Sequence, residues 1–194
     1  MPADQILSRI RNLRTVFLDR DGVLNRKMPE GSWVTSPADL SILEGTPEAV
    51  ARLNHAGLLV LVVTNQRAIS QGHLSPQGLE RIHSALQARL GNGNAHIDGF
   101  FYCPHDRGEC DCRKPLTGMF EQARQQFPDV DAESSVMVGD SLADIQFGKA
   151  LGMLTILLRT NPEMHKEAAQ KAEQLADGCF PTLSAAVSFL LEGR

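Results

Sequence analysis

The sequence predicts an α/β protein with a doubly wound parallel sheet, on three observations. Apolar runs of strand length alternate with stretches of helical periodicity along the 194 residues. Residues 58–63 are apolar throughout, which is typical of a strand buried on both faces of a parallel sheet. No internal repeat or low-complexity linker interrupts the alternation, so we expect residues 1–194 to form one domain with a minimal cap.

The elements follow from apolar spacing and from Gly and Pro punctuation. Strands are predicted at residues 14–18, 58–63, 100–102, 135–138, 154–158 and 179–180. Helices are predicted at residues 1–13 (a lead-in helix), 46–56, 76–90, 116–127, 142–151, 162–176 and 182–191. Thr46 is expected to cap its helix, and His83 to be a surface or flank residue. Residues 26–44 read as a loop near the site, in which Trp33 is either a core plug or a wall facing substrate.

Composition excludes several classes of protein. Lys and Arg number 19 against 23 for Asp and Glu, and no basic cluster appears, so a nucleic-acid partner is not expected. The longest apolar runs are too short to span a bilayer, and the N-terminus lacks the features of a signal peptide. We therefore expect a cytoplasmic protein without a membrane partner. A monomer is expected because the sequence shows no apolar stripe beyond those that the core needs.

Two carboxylates stand where the first strand ends. Asp19 and Asp21 follow an apolar run and precede a glycine, so both are expected at the carboxyl edge of the sheet, where open α/β sheets bind ligands. Asp19 suits a nucleophile and metal ligand, and Asp21 suits a proton donor to a leaving oxygen. The alternative is a surface turn, since Asp-Gly is common in turns.

Polar clusters also follow other predicted strands. Thr64-Asn65-Gln66 ends the second, and Gly139-Asp140-Ser141 ends a later one, with Asp144 on the first turn of the next helix. The adjacent cations Arg113 and Lys114 suit binding to phosphate oxygens. Carboxylates gathered at one edge repel one another and require a hard cation, for which Mg²⁺ is the expectation. The set describes phosphoryl transfer through an aspartyl-phosphate.

Residues 103–112 carry a second metal signal. Cys103, His105, Cys110 and Cys112 supply three thiolates and an imidazole, the ligand set of a closed tetrahedral zinc site. Four ligands leave no position for water, so this zinc is predicted to be structural and to brace the loop before Arg113 and Lys114. The alternative is a cluster of free thiols, and Cys179 is expected in the core.

The motifs Asp19-Arg-Asp21-Gly-Val, Thr64-Asn65-Gln66, Lys114-Pro115 and Gly139-Asp140-Ser141-x-x-Asp144 resemble, in order, the four motifs of the haloacid dehalogenase (HAD) superfamily of phosphatases. The resemblance implies Asp19 as nucleophile and Asp21 as general acid and base. It implies that Thr64 and Lys114 hold the phosphoryl group. Mg²⁺ would bind Asp19, the backbone carbonyl of Asp21 and Asp140. The residues expected to contact substrate are Arg20, Asn65, Gln66, Arg113 and Lys114.

Within that superfamily, the metal loop and the following Gly118-Met119 are similar to the heptose bisphosphate phosphatases, with the histidinol-phosphate phosphatases as a sister group. This resemblance implies hydrolysis of the C7 phosphate of D-glycero-D-manno-heptose 1,7-bisphosphate, a small sugar phosphate used in surface polysaccharide (lipopolysaccharide) synthesis. Arg67 departs from the group's pattern by replacing a small residue beside the phosphate. Selectivity is expected from loops 26–36, 67–73 and 103–113.

Other functions remain open at this stage. Histidinol phosphate or another small phosphomonoester would change the substrate and keep the enzyme class. A zinc-stabilised binding module would make the aspartates structural, although burying such clusters without a ligand is costly. A polynucleotide 3′-phosphatase conflicts with the acidic charge balance. An ATP-using kinase is disfavoured because no Gly-x-x-x-x-Gly-Lys loop appears.

Overall fold

A computed structural model describes residues 2–161 and 164–194. Its strands are β1 (Thr15–Leu18), β2 (Leu59–Asn65), β3 (Gly99–Cys103), β4 (Ser135–Gly139), β5 (Leu154–Leu158) and β6 (Gly178–Phe180). Its helices are α1 (Ala3–Arg11), α2 (Thr46–His55), α3 (Pro76–Gly91), α4 (Gly118–Gln126), α5 (Leu142–Leu151), α6 (Lys166–Leu175) and α7 (Leu183–Glu192), with one 3₁₀ helix at Pro37–Asp39. None of the helices so described is long and apolar enough to cross a membrane.

The six strands form one parallel sheet in the order β3-β2-β1-β4-β5-β6. Strand order reverses at β1, because the chain first extends the sheet through β2 and β3 and then returns to add β4 on the other side of β1. Open sheets with this order bind ligands outside the carboxyl ends of the strands at the reversal point. The predicted doubly wound sheet is confirmed, and its switch point lies where Asp19 leaves β1.

Successive residues of the central strands face opposite cores. In β1, Val16 and Leu18 belong to a cluster completed by α2, α3 and α7, whereas Phe17 belongs to a cluster completed by α4 and α5. All four residues of β1 are buried, as are all five of β4. Burial on both faces explains why these strands read as continuous apolar runs rather than as alternating ones.

Two local predictions are wrong. Thr46 does not cap α2: it is the first helical residue and is 1% exposed, and the N-cap is Gly45 with a left-handed φ of 73°. His83 is not a surface residue: it is 7% exposed and stacks on Phe100 with ring centroids 4.4 Å apart. Its position on α3 places it against β3, which the periodicity of one helix does not reveal. Burial, followed by the nearby positive charge of Arg20, lowers the pKa of His83 to about 3.

The other elements differ from prediction mainly at their ends. Helix α4 begins at Gly118 rather than at residue 116, and α6 begins at Lys166, while residues 162 and 163 of the predicted helix lie outside the described residues. The predicted loop at residues 26–44 contains the 3₁₀ helix at Pro37–Asp39. Cys179 is half-buried on edge strand β6 and packs against a small cluster between α5, β5 and α6. Most boundaries shift by one or two residues, as is common at frayed helix ends, whereas α6 begins four residues later than predicted.

Candidate active site

A cavity of about 490 Å³ opens outside the carboxyl ends of β1, β2 and β4. This volume suits a small-molecule ligand. Its lining divides by charge into acidic groups and surrounding cations. The acidic residues are Asp19, Asp21, Glu30, Asp140 and Asp144, and the cations are Arg20, Lys27, Arg67, Arg107, Arg113 and Lys114.

Asp19 and Lys114 meet in the buried part of the cavity. The Lys114 ammonium donates to Asp19 Oδ1 at 2.9 Å and to the Val63 carbonyl at 2.7 Å, and it lies 2.6 Å from Asp144 Oδ1. Burial raises the pKa of Asp19 to about 6, with the Lys114 charge opposing that rise. Burial also disfavours charged Lys114, but Asp144 and Asp19 together raise its pKa. A carboxylate kept ionised beside a fixed ammonium is suited to nucleophilic attack on phosphorus.

Asp21 is held by donors on both carboxylate oxygens. Arg20 binds it bidentately, with Arg20 Nη2 at 2.8 Å from Oδ2 and 3.0 Å from Oδ1. Asn25 Nδ2 donates to Oδ1 and Gln66 Nε2 to Oδ2, each at 2.9 Å. Burial alone would raise the pKa of Asp21, but the Arg20 charge and these hydrogen bonds lower it below its ordinary value. Asp21 is therefore an anion oriented toward the cavity.

The polar triplet after β2 organises its neighbours. Asn65 Oδ1 accepts from the Lys114 backbone N–H at 3.0 Å, and Asn65 Nδ2 donates to the Lys114 carbonyl at 3.1 Å. The two bonds fix the backbone that carries the Lys114 ammonium. Gln66 Nε2 donates to Thr64 Oγ1 at 2.9 Å as well as to Asp21, so it links the end of β2 to the end of β1. Thr64 is 1% exposed.

A second carboxylate group stands after β4. Asp144 caps α5 reciprocally with Ser141, whose hydroxyl donates to Asp144 Oδ2 at 2.5 Å. Oxygen atoms of Asp19, Asp140 and Asp144 lie within 4.8 Å of one another. Asp140 is fully buried, and its Oδ1 has no hydrogen-bond partner among the described residues. Burial first, then Asp19 and Asp144, raise the pKa of Asp140 to about 7, while the Lys27 charge lowers it. Three convergent carboxylates with an unsatisfied oxygen fit a hard divalent cation.

Gly22 and Asp140 approach one another closely. A Cβ on Gly22 would lie 2.2 Å from Asp140 Oδ2, and the φ of Gly22 is +94°. Only glycine meets both constraints without strain. Thr160 Oγ1 donates to the Gly22 carbonyl at 2.6 Å, which ties the turn after β1 to the segment after β5.

Lys27 lies in the candidate site, although no sequence pattern indicates it. Its Nζ lies 3.1 Å from Asp140 Oδ2, across 113 residues of chain. It sits in the predicted loop at residues 26–44, where neither spacing nor motif distinguishes it from the adjacent Arg26. The one sequence feature that links Lys27 to the site is that its loop follows directly from the Asp19–Asp21 segment.

Loops 26–36, 67–73 and 103–113 each contribute residues to the lining of the cavity, as does the segment that contains Met164, His165 and Ala168. Trp33 is half-buried, stacks on His73 with ring centroids 4.5 Å apart, and also lines the cavity, while contact with substrate stays a prediction. Arg113 Nη1 donates to the His105 carbonyl at 3.2 Å. Arg67 Nη1 lies 3.9 Å from Asp106 Oδ1, which joins loops 67–73 and 103–113.

The Cys/His loop assembles a second possible metal site. Sγ of Cys103 lies 3.5 Å from Sγ of Cys110 and 3.7 Å from Nδ1 of His105, and Sγ of Cys112 lies 3.4 Å from the same nitrogen. Tetrahedral zinc with bonds of about 2.0–2.3 Å separates neighbouring ligand atoms by about 3.5–3.8 Å. The four side chains therefore fit a metal ion of this kind. Despite burial, hydrogen bonds from the Arg113 and Cys112 backbones and from the other thiols lower the pKa of Cys110 to about 7, whereas burial raises the pKa of Cys103 and of Cys112.

Fold and site together define a hydrolase of the HAD-like class. A family model described as HAD-hyrolase-like matches residues 111–186. A crystal structure of D,D-heptose 1,7-bisphosphate phosphatase from B. bronchiseptica, complexed with magnesium and phosphate, superposes with a TM-score of 0.82 at 31% identity. The superposition covers 94% of this chain and 100% of the B. bronchiseptica chain.

Curated relatives narrow the class. The D-glycero-beta-D-manno-heptose-1,7-bisphosphate 7-phosphatase of Vibrio cholerae is 36% identical over 185 residues, covering 91% of this chain and 95% of the relative. The enzyme of the same name from Escherichia coli is 33% identical, covering 84% of this chain and 88% of the relative. The chain belongs to the family of D-glycero-D-manno-heptose-1,7-bisphosphate 7-phosphatases.

Proposed function

We propose that this protein hydrolyses the C7 phosphate of D-glycero-D-manno-heptose 1,7-bisphosphate with Mg²⁺, through an aspartyl-phosphate on Asp19. The observation that carries the chemistry is the contact of buried Lys114 with Asp19 beside the Asp140–Asp144 group. The names of the relatives support heptose bisphosphate over histidinol phosphate. A zinc-stabilised binding module without catalysis gives no account of an unsatisfied carboxylate oxygen beside a buried ion pair.

In the first step Asp19 attacks the phosphorus of the C7 phosphate. A bond forms between Asp19 and phosphorus as the bond between phosphorus and the sugar oxygen breaks. Asp21 is ionised in the substrate-free site. A phosphate dianion arriving beside it raises its pKa by like-charge repulsion, so Asp21 takes up a proton from solvent as substrate binds. Asp21 then gives this proton to the leaving oxygen as the bond between that oxygen and phosphorus breaks. Lys114 holds one oxygen of Asp19, which directs the other toward phosphorus.

In the second step Asp21, as a carboxylate, takes a proton from water, whose oxygen attacks phosphorus and releases inorganic phosphate and Asp19. Arg20, Asn25 and Gln66 orient Asp21 for this step by their hydrogen bonds. Asp19, Asp140 and the backbone carbonyl of Asp21 would hold Mg²⁺, which when bound neutralises phosphate charge in the transition state. Thr64 and Lys114 would bind the transferring phosphoryl oxygens, and Arg113 the phosphate that is not cleaved.

The Cys103, His105, Cys110 and Cys112 cluster would hold zinc as a structural ion. Its donor spacing supports this assignment, and its position directly before Arg113 and Lys114 supports a role in fixing those cations. The predicted monomeric state and cytoplasmic location remain predictions.

The test is phosphate release with Mg²⁺ across a panel of substrates. The panel holds both anomers of heptose 1,7-bisphosphate, histidinol phosphate, fructose 1,6-bisphosphate and a 3′-phosphorylated oligonucleotide. We expect preference for the β heptose anomer, which the names of two relatives specify. Asp19→Asn should lose at least about 10⁴-fold in kcat, whereas Asp129→Asn, an exposed carboxylate outside the cavity, should match wild type. Equal turnover by Asp19→Asn would contradict the nucleophile, and preference for histidinol phosphate would contradict the substrate.

A further inference from the structure

Two lysines contact the buried carboxylates of the cavity, and they differ in how exposed their side chains are. Lys114 is 2% exposed and anchored by Asp19, Asp144 and the Val63 carbonyl. Lys27 contacts the third carboxylate, Asp140, from a side chain that is 38% exposed. One lysine is therefore fixed in the floor of the cavity, and the other reaches the floor from its edge.

The two lysines leave the carboxylate group with little net charge. When all three are ionised, Asp19, Asp140 and Asp144 contribute three negative charges, and Lys27 and Lys114 supply two positive ones. Like carboxylates this close need cations between them. In the absence of a divalent ion, Lys27 is the group that neutralises Asp140, which is fully buried.

A divalent cation and the Lys27 ammonium would share one carboxylate. Oδ1 of Asp140 has no hydrogen-bond partner among the described residues and would bind magnesium at about 2.1 Å, whereas Lys27 Nζ lies 3.1 Å from Oδ2 of the same group. A dication and an ammonium at adjoining positions repel strongly in a low-dielectric site. Lys27 can leave, since a flexible four-carbon stem carries its charge and the side chain already lines the open cavity. Lys114 is held by three partners and cannot.

We propose that Lys27 is an exchangeable counter-ion of Asp140, which the divalent cation displaces into the cavity, where its ammonium binds substrate phosphate. The inference rests on the proposed function for the divalent ion and adds a residue that couples metal binding to phosphate binding. Displaced Lys27 would lie near Arg67, Arg107 and Arg113, which also line the cavity. There a phosphate dianion would replace Asp140 as the anionic partner of the Lys27 ammonium.

The first measurement is calorimetric titration of the substrate-free protein with Mg²⁺. Lys27→Met, which keeps side-chain length and removes the competing charge, should bind Mg²⁺ about tenfold more tightly than wild type. Lys27→Arg keeps the charge and should stay within about twofold of wild type. Arg26→Met removes one positive charge from the adjacent exposed position and should also change affinity by less than about twofold.

The second measurement follows the lysine itself. Reductive ¹³C-methylation of lysines gives one NMR signal for each, and the Lys27 signal is the one missing from Lys27→Arg. It should shift toward the free-lysine position on addition of Mg²⁺, and shift again with inorganic phosphate. A Lys27 signal that does not move at saturating Mg²⁺, or an Mg²⁺ affinity of Lys27→Met equal to that of wild type, would overturn this inference. The proposed function would still stand in that case if the wild-type protein is an active phosphatase. A wild-type protein that binds no Mg²⁺ would overturn both.

Discussion

Replacing Lys114 by methionine tests the buried charge cluster directly. The Lys114 side chain is 2% exposed, and its ammonium lies 2.9 Å from Asp19 and 2.6 Å from Asp144. Methionine has a similar length without charge or donors, so the variant leaves two carboxylates facing each other. The Asp144 side chain is only 1% exposed, so water cannot replace the lost ammonium there.

The size of the effect follows from burial. Removing one partner of a buried ion pair costs about 3–5 kcal/mol of unfolding free energy. In a protein of this length each kcal/mol shifts Tm by about 2–4 °C, so Lys114→Met should melt about 6–20 °C below wild type. Asp19 already has a pKa raised to about 6 with Lys114 in place. Without Lys114 the folded state binds protons more tightly than the unfolded state, so the deficit should grow as pH rises from about 5 to 8.

The assay is thermal unfolding followed by circular dichroism in EDTA, which keeps divalent ions out. Lys149→Met is the matched control: Lys149 lies 2.6 Å from buried Asp177 but is 31% exposed. The same Asp177 oxygen keeps hydrogen bonds from the Thr155 backbone N–H and hydroxyl, each at 2.9 Å. The control should lose only about 1 kcal/mol. If Lys114→Met melts no lower than Lys149→Met at about pH 8, the argument from burial is wrong.

Three other changes probe separate parts of the chain. Cys110→Ser should lose bound zinc by elemental analysis and melt lower, while Cys179→Ser keeps its zinc; zinc retained in Cys110→Ser would exclude it as a ligand. His83 is neutral in the fold with a pKa of about 3, but it binds a proton in the unfolded chain below about pH 6.5. Wild type should therefore lose about 2 kcal/mol from this group between about pH 8 and 5, and His83→Leu should show a correspondingly flatter profile of unfolding free energy against pH; parallel profiles would contradict the burial of a neutral imidazole. Gly22→Ala should lose at least about 100-fold in kcat because its Cβ would collide with the neighbouring carboxylate of Asp140. Gly31→Ala is the control, because Gly31 also has a positive φ but its Cβ would meet no atom within 4 Å. Equal losses of kcat in the two variants would mean that backbone strain, and not the collision, causes the effect.

Much of the site could be predicted because its chemistry lies in short motifs at strand ends. A parallel sheet gathers the carboxyl ends of its strands at one edge, so Asp19, Thr64 and Asp140 were expected together once the alternation of elements was recognised. The Cys/His cluster could be predicted because its four candidate metal ligands lie close together in the sequence. Roles are harder to predict than positions, as Asn65 shows: both ends of its amide are bonded to the Lys114 backbone.

Contacts between distant segments could not be predicted. His83 looks like a flank residue in its own helix, and its burial depends on how α3 packs against β3. Gly45 caps α2 through a left-handed φ that depends on the path of the preceding loop. A single sequence specifies periodicity and composition, whereas such contacts depend on the relative placement of whole elements.

The sequence by itself determined the strand–helix alternation, the candidate nucleophile and acid–base residue, and the candidate metal ligands, since each lies in a short local pattern with a direct physical cause. Only the tertiary structure decided which cation meets which carboxylate. Lys114 is held in the floor by β2, and Lys27 reaches Asp140 across 113 residues from a loop without periodicity. Coulomb pairing depends on separation in space, and that separation exists only after the sheet has formed.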